Sequence, residues 1–551
     1  MKLQIHLLAI NFLILVFFVS EASFSQSITK ENIKSMEKII SLEFTDAERD
    51  SMLDNLKDQL LNYQNIRNIE LNNSVPPAVI FNPIPVGFKL PYKSKEIKFS
   101  DYKNTKMPIN KNDLAFYSVG ELAELIRTKH ITSTELTKFF IERLKKYDSQ
   151  LHCVITITEE RALVQARKMD EEIAAGKYRG ILHGIPFGVK DLLSTKDYKT
   201  TWGAAPFKDQ MINEDATVIT KLENAGAVLC AKLTMGALAW GDVWFGGKTR
   251  NPWDTTKGSS GSSAGSASSV SAGLLPFAIG TETYGSIISP STICGTTGLR
   301  PTYGRVSRTG AMALSWSMDK IGPICRTAED LAIVFNAIKG LDGIDQTLYD
   351  VPFNYEPKIN FKGLKIGYLK NDFDNQYDFH LNDSLTLAKL RKLGAELIPV
   401  ELPKIPVNDL AIILSAEAAA AFDDLTRSNQ DDLLVRQIKN AWPNSFRSSR
   451  FIPAVEYINA NRARFLLIQE MQKLMERVDI YIAPSQEGDN ELTTNLTGHP
   501  CVVLPNGFTN DGTPTSITFI GRLFEEGKLI EFAKAYQDAT DFHKKHPLMF
   551  R

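Results

Sequence analysis

Three residues of this 551-residue chain could do covalent chemistry together. Ser262 lies in Gly261-Ser262-Ser263-Ala264-Gly265-Ser266, and Ser286 ends the stretch Gly280-Thr281-Glu282-Thr283-Tyr284-Gly285-Ser286. Lys190 stands upstream in Gly184-Ile185-Pro186-Phe187-Gly188-Val189-Lys190-Asp191. A serine hydroxyl is inert near neutral pH, so it needs a base to take its proton and donors to hold the oxyanion it creates. A lysine serves as that base when burial lowers its pKa, and the apolar Ile185, Pro186, Phe187 and Val189 disfavour a charged ammonium. A glycine-bearing turn frees backbone N–H groups for the oxyanion. Each residue also has a plainer reading. Ser286 could be a turn serine, Ser263 a helix-start serine, and Lys190 a strand-end lysine paired with Asp191.

The order of motifs around these residues resembles the amidase signature family. Asn251-Pro252-Trp253-Asp254 opens the block, the Gly/Ser run follows, and Gly295-Thr296-Thr297-Gly298-Leu299-Arg300-Pro301-Thr302 closes it. The likeness runs from about Tyr117 to about His546 through Gly367, Tyr457-Ile458-Asn459-Ala460-Asn461-Arg462, Gly498-His499-Pro500 and Gly512-Thr513-Pro514. Several motifs in order carry more weight than one. Counting forward from Asn251 and backward from Gly280 puts the family's bridging serine at Ser262, which leaves Ser259 and Ser260 as loop residues.

The resemblance implies a set of roles. Ser286 is the nucleophile, Ser262 relays its proton, and Lys190 is the base. Backbone N–H groups of Thr283, Tyr284, Gly285 and Ser286 form the oxyanion hole, where one donor is typically worth ~2.7–4 kcal/mol. The Gly261–Ser262 peptide is expected to be cis, eased by glycine at 261, with Ser263 in hydrogen-bonding support. No metal or other cofactor is expected. Many members carry Asp-x-Gly-Gly-Ser-Ile-Arg at the nucleophile, whereas this chain has Glu282-Thr283-Tyr284-Gly285-Ser286-Ile287-Ile288. That form is similar to the peptide-amidase-like branch, and Tyr284 is expected to narrow or restack the mouth of the loop.

Composition bounds the rest. A net charge of −1 leaves no basic excess for nucleic acid, and 43% hydrophobic with 23% charged content fits a large globular protein. Lys2, the apolar run Leu7 to Val19 and the small residues Ser23 and Ser25 around Phe24 read as a secretory signal cut near Ser25/Gln26. The run is short of the ~20 residues a membrane span prefers, so an uncleaved anchor is the minor alternative. A periplasmic or secreted protein with no membrane attachment after cleavage is expected. Five scattered cysteines read as small buried hydrophobes, with one disulfide left open, and His543 and His546 as solvated.

The expected organisation is a signal at 1–25, an accessory helical and proline-rich extension at 26–115, and a catalytic domain at 116–551. Thr45 is a helix N-cap before Asp46-Ala47-Glu48, whereas Pro76-Pro77 and Phe81-Asn82-Pro83-Ile84-Pro85 cannot continue a helix. Capping boxes at Ser118/Glu121 and Thr132/Glu135 start two helices expected to pack back to back. Apolar runs at 185–189, 228–231, 274–279 and 480–483 read as buried strands. Their alternation with helices predicts an α/β fold, and the resemblance implies one large mixed β-sheet covered by helices on both faces. Residues 371–456 lie outside the core motifs and, in the family, help cover the substrate funnel. Trp202, Trp240, Trp244 and Phe245 line an acyl pocket or belong to the core. The leading function is an exported amidase acting on a small-molecule or peptide amide. The alternatives are a protein like the amidotransferase component of tRNA transamidation and a noncatalytic binding protein on this fold.

Overall fold

The computed structural model describes residues 28–551, so the expected signal at 1–25 and its expected cleavage point lie outside the described residues. Two compact units divide between Glu70 and Leu71. In the smaller unit, helices α1 (Lys30–Ile40) and α2 (Asp46–Arg67) are joined by a buried pairing of Glu37 with Arg49, at 2.7 and 2.8 Å. Thr45 caps α2 in a capping box with Glu48, as its sequence position predicts.

The larger unit is built on an eleven-stranded mixed sheet. Its strands, in chain order, are β1 (Val154–Ile157), β2 (Pro186–Lys190), β3 (Val228–Leu233), β4 (Phe277–Glu282), β5 (Thr297–Arg300) and β6 (Lys320–Cys325). Then come β7 (Lys365–Leu369), β8 (Glu396–Val400), β9 (Ile480–Pro484), β10 (Cys501–Phe508) and β11 (Pro514–Gly521). Their spatial order is β1-β3-β2-β4-β6-β5-β10-β11-β9-β7-β8. β2 runs parallel to both β3 and β4, with Phe187 opposite Phe277 and Val189 opposite Ile279, so the C-terminal ends of β2 and β4 meet.

Both faces of the sheet are buried, and the alternation of side chains along a strand shows it. Val502 and Leu504 join a core containing Leu529, Phe532 and Tyr536 of the helix Glu526–Thr540. Their neighbours Cys501 and Val503 join a second core with Leu467, Met471 and Leu474 of the helix Ala454–Arg477. Ile480 and Ile482 divide from Tyr481 and Ala483 in the same way. Two-sided burial explains why these strands read as continuous apolar runs rather than as alternating ones.

Both capping boxes form, at Ser118 and Thr132. The helices they start, α3 (Val119–Arg127) and α4 (Ser133–Leu151), do not make their main contacts with each other, because each covers a different neighbour. α4 packs on α5 (Glu159–Ala174), and α3 lies against the helix Ala328–Ile338, where Asp330 accepts from the Val119 N–H at 3.0 Å. Residues 371–456 are also more than a cover, since β8 completes the edge of the main sheet beside β7. The proline-rich stretch belongs to the larger unit. Phe81 packs edge-on to Tyr303 at 5.0 Å, and the Val86 N–H donates to Gln469 Oε1.

All five cysteines are buried and free. His543 and His546 are half-buried rather than solvated, because His546 stacks on Phe116 at 3.8 Å and burial lowers the pKa of His543 to about 4.

Asp191 and Lys232 form a fully buried ion pair at 3.1 Å between the end of β2 and β3. Lys232 also donates to Leu193 O and Thr200 Oγ1. Removing one partner of such a pair leaves an uncompensated charge, at a cost of about 3–5 kcal/mol. Lys232→Met is therefore predicted to lower the urea midpoint by a corresponding amount. Adding Asp191→Leu should recover part of the loss; an unchanged midpoint in Lys232→Met would refute this account.

Candidate active site

β2 ends at Lys190, and its amine is fully buried. Nζ lies 2.7 Å from Ser262 Oγ, and Ser262 Oγ lies 2.9 Å from Ser286 Oγ. The amine also reaches Thr281 Oγ1 at 2.9 Å and Ser263 Oγ at 3.3 Å. A neutral amine has two N–H donors and one lone pair. Thr281 and Ser263 can take the donors, which turns the lone pair to the Ser262 hydroxyl.

Burial is the main cause that lowers the pKa of Lys190 to about 7, against the upward pull of Asp319 and Glu282. Asp191, the partner of the plainer reading, faces elsewhere. Its carboxylate is engaged by Lys232 and by the Thr201 N–H at 2.9 Å, because successive strand residues point to opposite faces.

Ser262 enters the site from a tight loop. The Gly261–Ser262 peptide is cis, and a side chain at Gly261 would meet the carbonyl oxygen of Gly241 at 1.9 Å. Ser263 precedes the helix Ala264–Ser271 but makes no capping bond. Its hydroxyl instead donates to Thr281 O at 3.0 Å and accepts from the Thr281 N–H at 3.1 Å. That locks the serine loop onto the end of β4, and the Ser263 N–H adds a bond to Ser286 O at 3.2 Å. Ser259 is buried and Ser260 bonds Ser289, so neither joins the chain of contacts.

Ser286 follows β4 in a turn held by Glu282. That carboxylate accepts the Ile287 and Ile288 N–H groups at 2.8 and 3.0 Å, and its other oxygen accepts from Arg300 at 2.7 Å and Asn495 at 2.9 Å. Burial alone would raise the pKa of Glu282, but Arg300, Asn495 and the two backbone donors hold it low. Thr283 donates its hydroxyl to Asp319, which also accepts from the Leu314 and Ser315 N–H groups. Among the described residues, the N–H groups of Tyr284, Gly285 and Ser286 make no protein hydrogen bond. Gly285 adopts φ of 79°, a left-handed conformation that suits glycine, and Tyr284 is exposed at the rim.

The structure thus brings together Lys190, Ser262, Ser263 and Ser286, together with the backbone of 283–286. Thr281, Glu282, Arg300, Asn495 and Asp319 were not found by sequence reasoning. Thr281 and Glu282 sit inside a recognised motif, but Asn495 lies 213 residues from Glu282 and no local pattern links them. Among the aromatics, Trp202 is core, packed on Phe207 and Phe422. Trp244 is buried edge-on to Phe245. Trp240 is partly exposed under the guanidinium of Arg436.

Comparison with known proteins gives the family. The Amidase family model matches residues 135–490. The A-type subunit of glutamyl-tRNA(Gln) amidotransferase from Coxiella burnetii is 34% identical over 478 residues, covering 78% of this chain and 99% of the relative. Its counterpart from Geobacillus kaustophilus is 34% identical over 482 residues, covering 79% and 99%. The structure of a peptide amidase from Stenotrophomonas maltophilia superposes with a TM-score of 0.70 at 28% identity, covering 78% of this chain and 98% of that one. An amidase family protein from Bacillus anthracis gives 0.71 at 27% identity, covering 83% and 99%. With the ordered motifs, the sheet and the Lys-Ser-Ser contacts all in place, the chain belongs to the amidase signature family, enzymes that act on amide C–N bonds.

Proposed function

We propose that this protein hydrolyses a carboxamide through an acyl-enzyme on Ser286. The observation that carries the reading is the unbroken run of contacts from Lys190 Nζ through Ser262 Oγ to Ser286 Oγ. With Lys190 neutral, the run is polarised toward the amine: Ser286 donates to Ser262, and Ser262 donates to Lys190. Attack of Ser286 Oγ on the carbonyl carbon sends one proton along this path. The oxyanion forms against the N–H groups of 283–286, where preorganised donors act on charge as it develops. The proton returns through Ser262 to the leaving nitrogen, the C–N bond breaks, and a water deprotonated by the same relay releases the acid.

The substrate we favour is a small-molecule or peptide amide, because the Glu282-Thr283 form of the nucleophile motif and the peptide amidase likeness point the same way. The 34% identity to the glutamyl-tRNA(Gln) amidotransferase relatives supports a second reading, in which the ammonia released serves a transamidation. The near-zero net charge and the signal-like N-terminus weigh toward an exported hydrolase, periplasmic or secreted and free of the membrane after cleavage.

A fluorophosphonate probe separates catalysis from binding. Labelling is expected on the peptide that contains Ser286, and Ser286→Ala should abolish it while the melting temperature stays within a few degrees. An adduct on Ser259, Ser260 or Ser262 would overturn the assigned roles.

Compartment is tested by N-terminal analysis of the protein from its native host, with a mature start expected near Gln26. An intact Met1 on soluble cytosolic protein would exclude export.

The base gives a pH prediction. Lys190 must lose its proton to act, so kcat/KM should rise with pH through about 7, the value to which burial lowers it. Lys190→Ala should cost far more on an amide than on an activated ester, since only the amide's leaving group needs the proton returned. Lys190→Arg should fail as well, being permanently charged. Normal amidase activity in Lys190→Arg would refute a neutral lysine.

A further inference from the structure

The oxyanion loop has a second acid beside it that the Ser-Ser-Lys chemistry does not use. Glu491 lies in the first turn of the helix Asn490–Thr497 and is partly exposed. Its carboxyl presses on the loop so closely that a Cβ added to Gly285 would stand 2.0 Å from Oε1. Among the described residues its side-chain oxygens have no hydrogen-bond partner, whereas its main-chain carbonyl is tied to Asn495 and Thr494. The groups that act on it electrostatically are Glu282 at the end of β4, Arg300 on β5, Cys501 on β10 and Tyr284 on the loop itself. Arg300 is already committed to Glu282 at 2.7 Å, and Cys501 is a neutral thiol, its pKa raised by burial to about 12. Asp489 adds a further negative charge near Tyr284.

Resting on the Ser286 reading, we propose that Glu491 is a positioning residue of the oxyanion loop whose carboxyl has to be neutral when the loop receives negative charge. The argument is one of charge at close range. Donors at 283–286 stabilise a developing oxyanion, and a carboxylate against Gly285, the third of those four residues, opposes it at close range. Burial, reinforced by Glu282, pushes the Glu491 carboxyl up to about 8, so the acid form prevails near neutral pH. Glu491 and Lys190 therefore work in opposite senses. Lys190 is active without its proton and Glu491 with it, so activity is confined to a window between their two titrations.

The test needs no knowledge of the natural substrate, because phosphonylation of Ser286 places charge in the same donor cluster. The second-order rate constant for a fluorophosphonate probe would be measured from pH 6 to 10 on the wild type, Glu491→Gln, Glu491→Met and Tyr284→Phe. The wild type should rise through about 7 and fall above about 8, losing about tenfold per pH unit on the alkaline side. Glu491→Gln and Glu491→Met should keep the acid limb and lose the alkaline one, while Tyr284→Phe keeps both. A wild type with no fall above pH 8, or a fall that persists in Glu491→Gln, would overturn the proposal. Either result leaves the nucleophile assignment standing, whereas absence of labelling at every pH would remove the Ser286 reading itself. A wild-type profile without an alkaline fall overturns the proposal even if one variant fails to fold, and either Glu491→Gln or Glu491→Met suffices to assign a fall that is seen.

Discussion

The site depends on keeping one amine dry. Lys190 ends a strand whose neighbours on both sides are parallel and whose two faces are covered, and that enclosure lowers its pKa to about 7. The same burial would be ruinous for an unpaired cation, because an isolated ammonium cannot be carried into an apolar interior. Becoming a neutral amine whose hydrogen bonds are met by Thr281, Ser263 and Ser262 resolves the conflict. Lys232, one strand away and equally buried, resolves it by pairing with Asp191. Burial lowers the pKa of both lysines, but their surroundings differ: one has a carboxylate at 3.1 Å and the other has only hydroxyls and a carbonyl within hydrogen-bonding reach.

The proposed nucleophile turn is fixed from behind rather than from the substrate side. Glu282 holds the two N–H groups that follow Ser286 and is itself fixed by Arg300 and Asn495, which come from β5 and from the helix after β9. Such a carboxylate is stable in the interior only when its acceptor capacity is filled, and here four donors fill it. The loop in front is thereby held in one shape before any ligand arrives, which is the condition under which backbone dipoles stabilise a transition state without reorganising.

The family relation sets the chemistry more tightly than the substrate. Its relatives include amidotransferase subunits at 34% identity and a peptide amidase at 28%, so the family relation goes with more than one named activity. The rim around the serine loops is built from other segments of this chain. Tyr284 is exposed at the rim with Asp489 and Glu491 nearby, and Arg436, from the segment between β8 and β9, lies over Trp240. Loops carried by a rigid sheet are where sequence differences accumulate at little cost to the fold.

The sequence by itself determined the parts that are local. Capping at Ser118 and Thr132 was legible because a cap and its box span four residues, and the runs at 185–189, 228–231 and 480–483 were legible because doubly buried strands are apolar throughout. The resemblance of the ordered motifs to the amidase signature family is what put Ser262, Ser286 and Lys190 in one expected site; the residues alone left a plainer reading of each open. Tertiary structure decided what depends on distant chain segments. It alone showed that α4 pairs with α5, that β8 closes the sheet edge, that Asp191 serves Lys232 and not Lys190, and that Asn495 reaches Glu282. Local patterns record which face of an element is apolar; they do not record which other element will cover that face, or which of two neighbouring charges will share its dielectric. Those choices are made only when the sheet closes and water leaves.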